Sequence, residues 1–540
     1  DDKFRTYMPE EKDQRQAELL EDDEIAEGWD QYRRDIEIMA TYFNKSGVYE
    51  LQRPTVAGRT QGTENDLSAL FLERVFQIAR NDGRVAQVLP GTIFTGSSGK
   101  DLRMELLNNA EIDVLTHFMN HGIFDGIDSR YKFSVVTFEN QGSTDEILSI
   151  YREGEVEVLR NISEVAFPTS RKVLERYSKE ARSFPLLKSR EESDVMEKIV
   201  AADPISEPRD NAWRATPYRE LDRTNDTARF VEDESKGQYP VLGGKNIHLF
   251  THNSSYLGIS SPEFWSVEED IDPEASAKQR VREKNKPKLK RALYDAFDGS
   301  GSQKSFVNDL LEEHRGKPLS TDDVLLDCSE YRIVYRDVTS ATNERTLIAS
   351  VIPPGVVCTN TLHTLRPYEF NPSRSDLEHD PLHSVYDRIF SNKELFAAVG
   401  LINSIPFDFL LKTKIDTHIV MYKFEESQVP RLTEGDEWFE YIWQRAARLN
   451  CYGDEFAEMR ERLGGIEPAT DVEERREVQA EMDAAAFHAY GLNHEQTEFV
   501  LDDFHRVQNP QLMDEDYFEL VLEKYQQLTQ QEVEAATESA

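Results

Sequence analysis

The residues of this chain best placed to do chemistry by type and spacing are cations and aromatics. Between Lys278 and Arg291 stand eight Lys/Arg and a single acid, Glu283. They include Arg280, Arg282, Lys284, Lys286, Lys288 and Lys290. A basic run in an otherwise acidic chain is a candidate phosphate-binding surface; the ordinary alternative is a solvated helix face. Arg332 and Arg336 flank a Val/Ile strand at i, i+4, so both are expected on one face. Arginine pairs bidentately with guanine or clamps phosphate, and its ordinary alternative is a salt bridge to the abundant acids. Asn246 has the amide that reads an adenine edge, and Lys245 precedes it. Arg130-Tyr131-Lys132-Phe133 puts aromatics beside cations at a strand end. An enzyme that modifies a base must take it out of the stack and hold it between flat surfaces, which such an end supplies. The competing reading of Phe133 is a core strand residue, with Val135 and Phe138 nearby.

Other chemistries fail on spacing. Leu89–Lys100 is rich in Gly, but a Walker A loop needs Gly at position 94, where Phe stands, and Ser97 follows Gly96 where Lys is required. No Gly-rich cofactor loop with a following acidic strand end occurs, nor a Pro-Asp…Glu-x-Lys nuclease core. Pro353-Pro354 follows Ile352, and Asn509-Pro510 precedes Gln511, so neither forms an Asn-Pro-Pro-Tyr loop. Three cysteines, Cys328, Cys358 and Cys451, show neither metal nor disulfide spacing and suit a reducing cytosol. No metal site is expected. No run of 18 apolar residues and no signal peptide is present, so a cytoplasmic location without membrane contact is expected.

Length and charge frame the elements that must position these residues. At 540 residues the chain exceeds one core, and 38% hydrophobic content with 28 Phe and 21 Tyr is enough to fold. The net charge of −39 opposes phosphate binding, unless the acids serve a halophilic cytoplasm where salt screens them. Their scatter over helix faces favours halophily. Residues 1 to about 60 read as helical, with apolar positions Ile25, Trp29, Tyr32, Ile36, Met39 and Tyr42 at 3–4 spacing. A second amphipathic helix is expected over 66–80, stopped by Asn81-Asp82-Gly83. Val85–Pro90 fits a buried parallel strand; 100–109 reads as helix, and Ile112–Phe118 and Phe133–Phe138 as strands. From 185 to about 430, short strands and dense turn signals suggest a mixed α+β module. From 434 to 540 the chain reads as helical and acidic, with its last ten residues frayed.

The stretch Asp66–Glu139, with Leu67–Phe76, Asp82–Pro90, Leu102-Arg103 and Phe124–Phe138, resembles the back half of an adenine-N6 DNA methyltransferase domain of the type IIG, Eco57I-like restriction–modification family. Tyr239–His248, Tyr331–Thr339, Asn343–Pro353 and Leu401–His418 resemble a TaqI-like target recognition domain, and Ala489-Tyr490-Gly491-Leu492 its following helix. The resemblance implies a partial doubly wound, Rossmann-like α/β sheet over 1–165, an α+β recognition domain over 185–430 and a helical region over 434–540. It implies S-adenosylmethionine as cofactor, with most of its site and all assignable catalytic residues outside this chain. Phe133, and second Tyr131, would stack on the flipped adenine. Double-stranded DNA is the implied partner, with defence-system proteins beside it, in restriction–modification or phage defence in a haloarchaeal cytoplasm. The alternative is a non-catalytic specificity module serving a separate catalytic chain.

Overall fold

The computed structural model describes residues 4–538 except 63–64, 211, 233, 253–262, 267–276, 416 and 505–506. These residues form two compact units: 1–175 with 179–189, and 176–178 with 190–540.

In the first unit, α1 (Pro9–Leu19) and α2 (Asp23–Lys45) precede α3 (Leu67–Ile78). The Asp22 and Asp66 carboxylates cap α2 and α3, accepting backbone N–H groups of the first turn. The α3 helix ends on the extended backbone of Ala79, ahead of the expected Gly83 stop. A five-stranded mixed sheet follows, built from β1 (Arg84–Pro90), β2 (Glu111–Met119), β3 (Lys132–Glu139), β4 (Glu146–Arg152) and β5 (Phe167–Ser170). The spatial order is β1–β3–β2–β4–β5. Only the β2–β4 pair is parallel. This corrects the expectation for Val85–Pro90. Its one sheet neighbour runs antiparallel, and alternate β1 side chains stay accessible, with Val88 59% exposed. An edge strand with one covered face alternates, whereas a central parallel strand reads as a continuous apolar run.

The covered face is a single core. Leu89, Leu115, Val136 and Phe138 from the sheet meet Leu72 of α3 and Leu102, Leu106 and Leu107 of α4 (Lys100–Asn109). Two buried polar side chains set its geometry. Glu73 of α3 accepts from Glu50 and Leu51 backbone N–H groups and the Gln52 amide. Arg103 of α4, fully buried, donates to the carbonyls of Ile93, Gly96, Ala181 and Arg182. It thereby fixes the Gly-rich loop after β1, and Gly99 stands where a Cβ would strike Ile93 O and the Arg103 guanidinium.

The second unit carries two four-stranded sheets. One has the order β12–β8–β9–β7, from β7 (Phe230–Val231), β8 (Gly237–Leu242), β9 (Glu263–Ser266) and β12 (Val357–Cys358). The other is fully antiparallel, β11–β10–β13–β6, from β6 (Pro217–Tyr218), β10 (Arg332–Arg336), β11 (Ala349–Ile352) and β13 (Leu362–Leu365). The helices of ten residues or more in this unit are α5 (Arg190–Ile199), α6 (Ala277–Ala296), α7 (Gln303–Arg315), α8 (Asn392–Ile402), α9 (Ile405–Lys414), α10 (Phe439–Asn450), α11 (Val472–Ala489), α12 (His494–Asp503) and α13 (Glu515–Glu538). The helix α13 extends into the segment expected to fray as far as Glu538, where Gln, Glu and Ala favour helix.

The open edge of β11 is closed by two asparagines rather than a strand. Asn403 accepts from Ala349 N–H and donates to Ala349 O; Asn450 does the same to Val351. These amides follow α8 and end α10, so the late helices and the β11–β10–β13–β6 sheet share one buried network. Asp408 of α9 joins it, accepting from Thr346 and Leu347 N–H with Arg345 3.6 Å away. Among the described residues no single helix is long and apolar enough to cross a membrane.

Candidate nucleic-acid interface

At the strand end in the first unit, Phe133 begins the register of β3, opposite Pro90 and Phe118. Its ring is 4% exposed, stacked on Phe118 at 5.3 Å and met edge-on by Phe124 at 4.9 Å. In this conformation Phe133 is a core aromatic, with no open face for a base, so the ranking of the two aromatics is corrected. Tyr131 is the accessible ring, 39% exposed, beside Phe124 and Ile127, which are also exposed. The buried Asn120 builds this loop. Its amide nitrogen donates to the carbonyls of Phe124, Ile127 and Asp128, and its oxygen accepts from Phe124 N–H. Sequence reasoning passed over Asn120; its place just after an apolar strand was the available signal.

In the second unit the predicted cations separate by partner. Arg332 is fully buried and donates through Nε and Nη2 to both oxygens of Glu220, at 2.9 and 3.1 Å, and to Val356 O. Burial alone would lower its pKa, but Glu220 beside it raises it above the ordinary value. This guanidinium belongs to the core and has no donor edge for DNA. Asn246 is also corrected: its side chain is buried, and its oxygen accepts from Gly243 N–H at 2.7 Å, holding the Gly243-Gly244 turn.

Lys245 and Arg336, in contrast, meet around a cavity of about 480 Å³, lined also by Arg223, Gly243, Gly244, Val338 and Thr361. Lys245 is exposed. Arg336 donates through Nη2 to Ile247 O, while its Nε is buried without an acceptor, and burial lowers its pKa. Arg223 pairs with Glu263 at 2.8 Å. The glycine turn brings backbone close to Thr361, whose hydroxyl accepts from Gly244 N–H. Lys245, Arg336 and the Arg223–Glu263 pair thus surround one glycine turn.

The basic run forms α6. Arg280 pairs with Asp226 at 3.2 Å and Lys284 with the same carboxylate at 4.0 Å; Arg282 pairs with Asp322 at 3.1 Å. Lys288 is exposed as a residue, yet its ammonium lies 5.7 Å from the Tyr218 ring centroid, and burial there, with Arg366 nearby, lowers its pKa to about 8. Lys286 and Lys290, one helical turn apart, have no ion pair among the described residues. The free positive charge is thus narrower than the sequence run. No described group of His, Cys, Asp and Glu could hold a metal ion. Among the described residues no Gly-rich loop followed by an acidic strand end is present to hold S-adenosylmethionine.

Residues 42–124 match the Eco57I restriction-modification methylase family. No curated protein matches the chain. Among solved structures, it is similar to the type IIL restriction–modification enzyme MmeI in complex with DNA, at 12% identity and TM-score 0.34, over 87% of this chain and 53% of that one. It is similar to the type IIG restriction endonuclease BpuSI at 12% identity and TM-score 0.26, over 81% and 51%. A modification subunit of a putative type I restriction enzyme from Vibrio vulnificus matches at 17% identity and TM-score 0.18, over 23% and 33%. The chain spans about half the length of the first and second of these.

Proposed function

We propose that this chain is part of a site-specific DNA methyltransferase acting in restriction–modification, with adenine N6 as the methyl acceptor and S-adenosylmethionine as the donor. The observation that carries the reading is the restriction-modification methylase match over residues 42–124, which falls on α3, β1, α4 and β2. On this reading the first unit contributes the rear of a type IIG catalytic sheet, and Tyr131 offers the open aromatic surface for an extruded base. The second unit holds duplex DNA as a TaqI-like recognition domain, through the Lys245–Arg336 cavity and the Lys286–Lys290 face of α6. Residues 1–165, 185–430 and 434–540 then serve as catalytic rear, recognition domain and helical support. The acidic surface belongs to a haloarchaeal cytoplasm, and phage defence is the setting.

The donor, with most of its site outside these residues, would supply the methyl group; the residues here would orient and grip DNA. The test is methyl transfer by the product of the complete reading frame, with labelled S-adenosylmethionine, duplex DNA and base-resolved mapping of the product. N6-methyladenine at one recurring sequence is expected. Methylated cytosine, or label at random adenines, would overturn the reading. Sequence-specific binding without any transfer would leave the specificity-module alternative standing.

A further inference from the structure

Within the second unit a separate cavity of about 310 Å³ lies among the end of α5, residues 429–431 and the end of α11. Lys198, Arg209 and Arg431 line it with one carboxylate, Asp203, against Pro430 and Tyr490. In a chain of net −39, a three-to-one excess of cations around one cavity runs against the background. Arg431 decides its chemistry. Its side chain is 1% exposed. Its Nη1 donates to Glu207 O and Trp213 O. Its Nε has no acceptor. Its Nη2 stands 3.7 Å from Asp203, past hydrogen-bond length, and Asp203 is shared with Arg209 at 4.0 Å. Nε and Nη2 form the side-on edge of a guanidinium, the fork that pairs with two oxygens of one oxyanion. Burial lowers the pKa of Arg431 although the Asp203 and Glu207 carboxylates both raise it.

We propose that this cavity binds a phosphate-type oxyanion on the Arg431 fork, with Lys198 and Arg209 balancing its second charge. The oxyanion is either a free phosphate or a phosphodiester of a nucleic acid. The proposal stands apart from the methyltransferase reading, since it uses none of Tyr131, Lys245, Lys286, Lys290 and Arg336, the side chains placed on DNA there.

The test is thermal unfolding and titration calorimetry of the full chain with inorganic phosphate, at ionic strength held constant with chloride. A saturable rise in Tm is expected, because a ligand that binds only the folded state stabilises it. Lys198→Gln with Arg209→Gln should weaken phosphate at least about tenfold while leaving the phosphate-free Tm unchanged, since both side chains are exposed. Arg431→Lys, which keeps the charge and removes the fork, should weaken it similarly. No saturable response, or an unchanged response in the Lys198/Arg209 variant, overturns the proposal. Phosphate that competes with duplex DNA identifies the backbone phosphodiester as the natural occupant; phosphate that binds without competing identifies the free anion.

Discussion

Tyr131 and Phe133 stand two positions apart and differ in one physical respect: Phe133 has a stacked neighbour and Tyr131 has water. Phe133→Ala should therefore act on stability, lowering it by about 3–5 kcal/mol in a denaturant titration. Tyr131→Ala should leave stability within about 0.5 kcal/mol and lower methyl transfer by the complete enzyme. A stable Phe133→Ala protein with lost activity would restore the original ranking. A second residue-scale test concerns His252, buried between Tyr452 and Phe456 with neither ring nitrogen hydrogen-bonded. Burial, with Arg475 nearby, lowers its pKa to about 4. Below pH 6.5 the unfolded chain takes up a proton that the folded one refuses. This contribution is therefore constant above pH 6.5 and turns against folding as pH falls toward 4. At pH 5 it amounts to about 2 kcal/mol. His252→Phe should shrink the loss of stability between pH 7 and pH 5 by about that much; an unchanged loss would show that His252 is solvated. At this scale the sequence could name cations and aromatics but not their partners. Arg332 and Arg336 look alike in a strand pattern, and only Glu220, 112 residues away, separates a core guanidinium from one that lines a cavity.

At the scale of elements, periodicity located α3, α4, β2 and β3 closely, because each carries a continuous apolar pattern facing one core. The direction of β1 was not legible, since the residues of Arg84–Pro90 do not show which strand they pair with. Closure of β11 was equally hidden: Asn403 and Asn450 look like ordinary helix-end residues until their amides are seen completing a strand edge. Asn450→Ala would leave the N–H of Val351 buried without a partner and its C=O with only the Ser350 hydroxyl. A cost of about 3 kcal/mol is expected, read as a lower denaturant midpoint with unchanged slope. The helix α2 makes the opposite prediction. None of its residues is buried, and Ile25, Trp29, Tyr32, Ile36 and Met39 form an exposed stripe. Trp29→Ser with Ile36→Ser should leave the stability of this chain within about 1 kcal/mol.

Across the whole molecule, a net charge of −39 sets the problem of holding a polyanion. The structure narrows the answer. Carboxylates Asp226 and Asp322 occupy Arg280, Lys284 and Arg282, leaving the Lys286–Lys290 face of α6 and the Lys245–Arg336 cavity. The basic run was visible in the sequence; the acids that pair with three of its eight cations lie elsewhere in the chain and fold back onto it. The central claim, that these remaining cations grip duplex DNA, is tested by the affinity of the chain for a duplex across a range of KCl concentrations. Each phosphate contact contributes about −0.9 to the slope of log affinity against log salt. Replacing Lys245, Lys286 and Lys290 with Gln should flatten that slope by about 2–3 and weaken binding evenly across sequences. An unchanged slope would contradict the account.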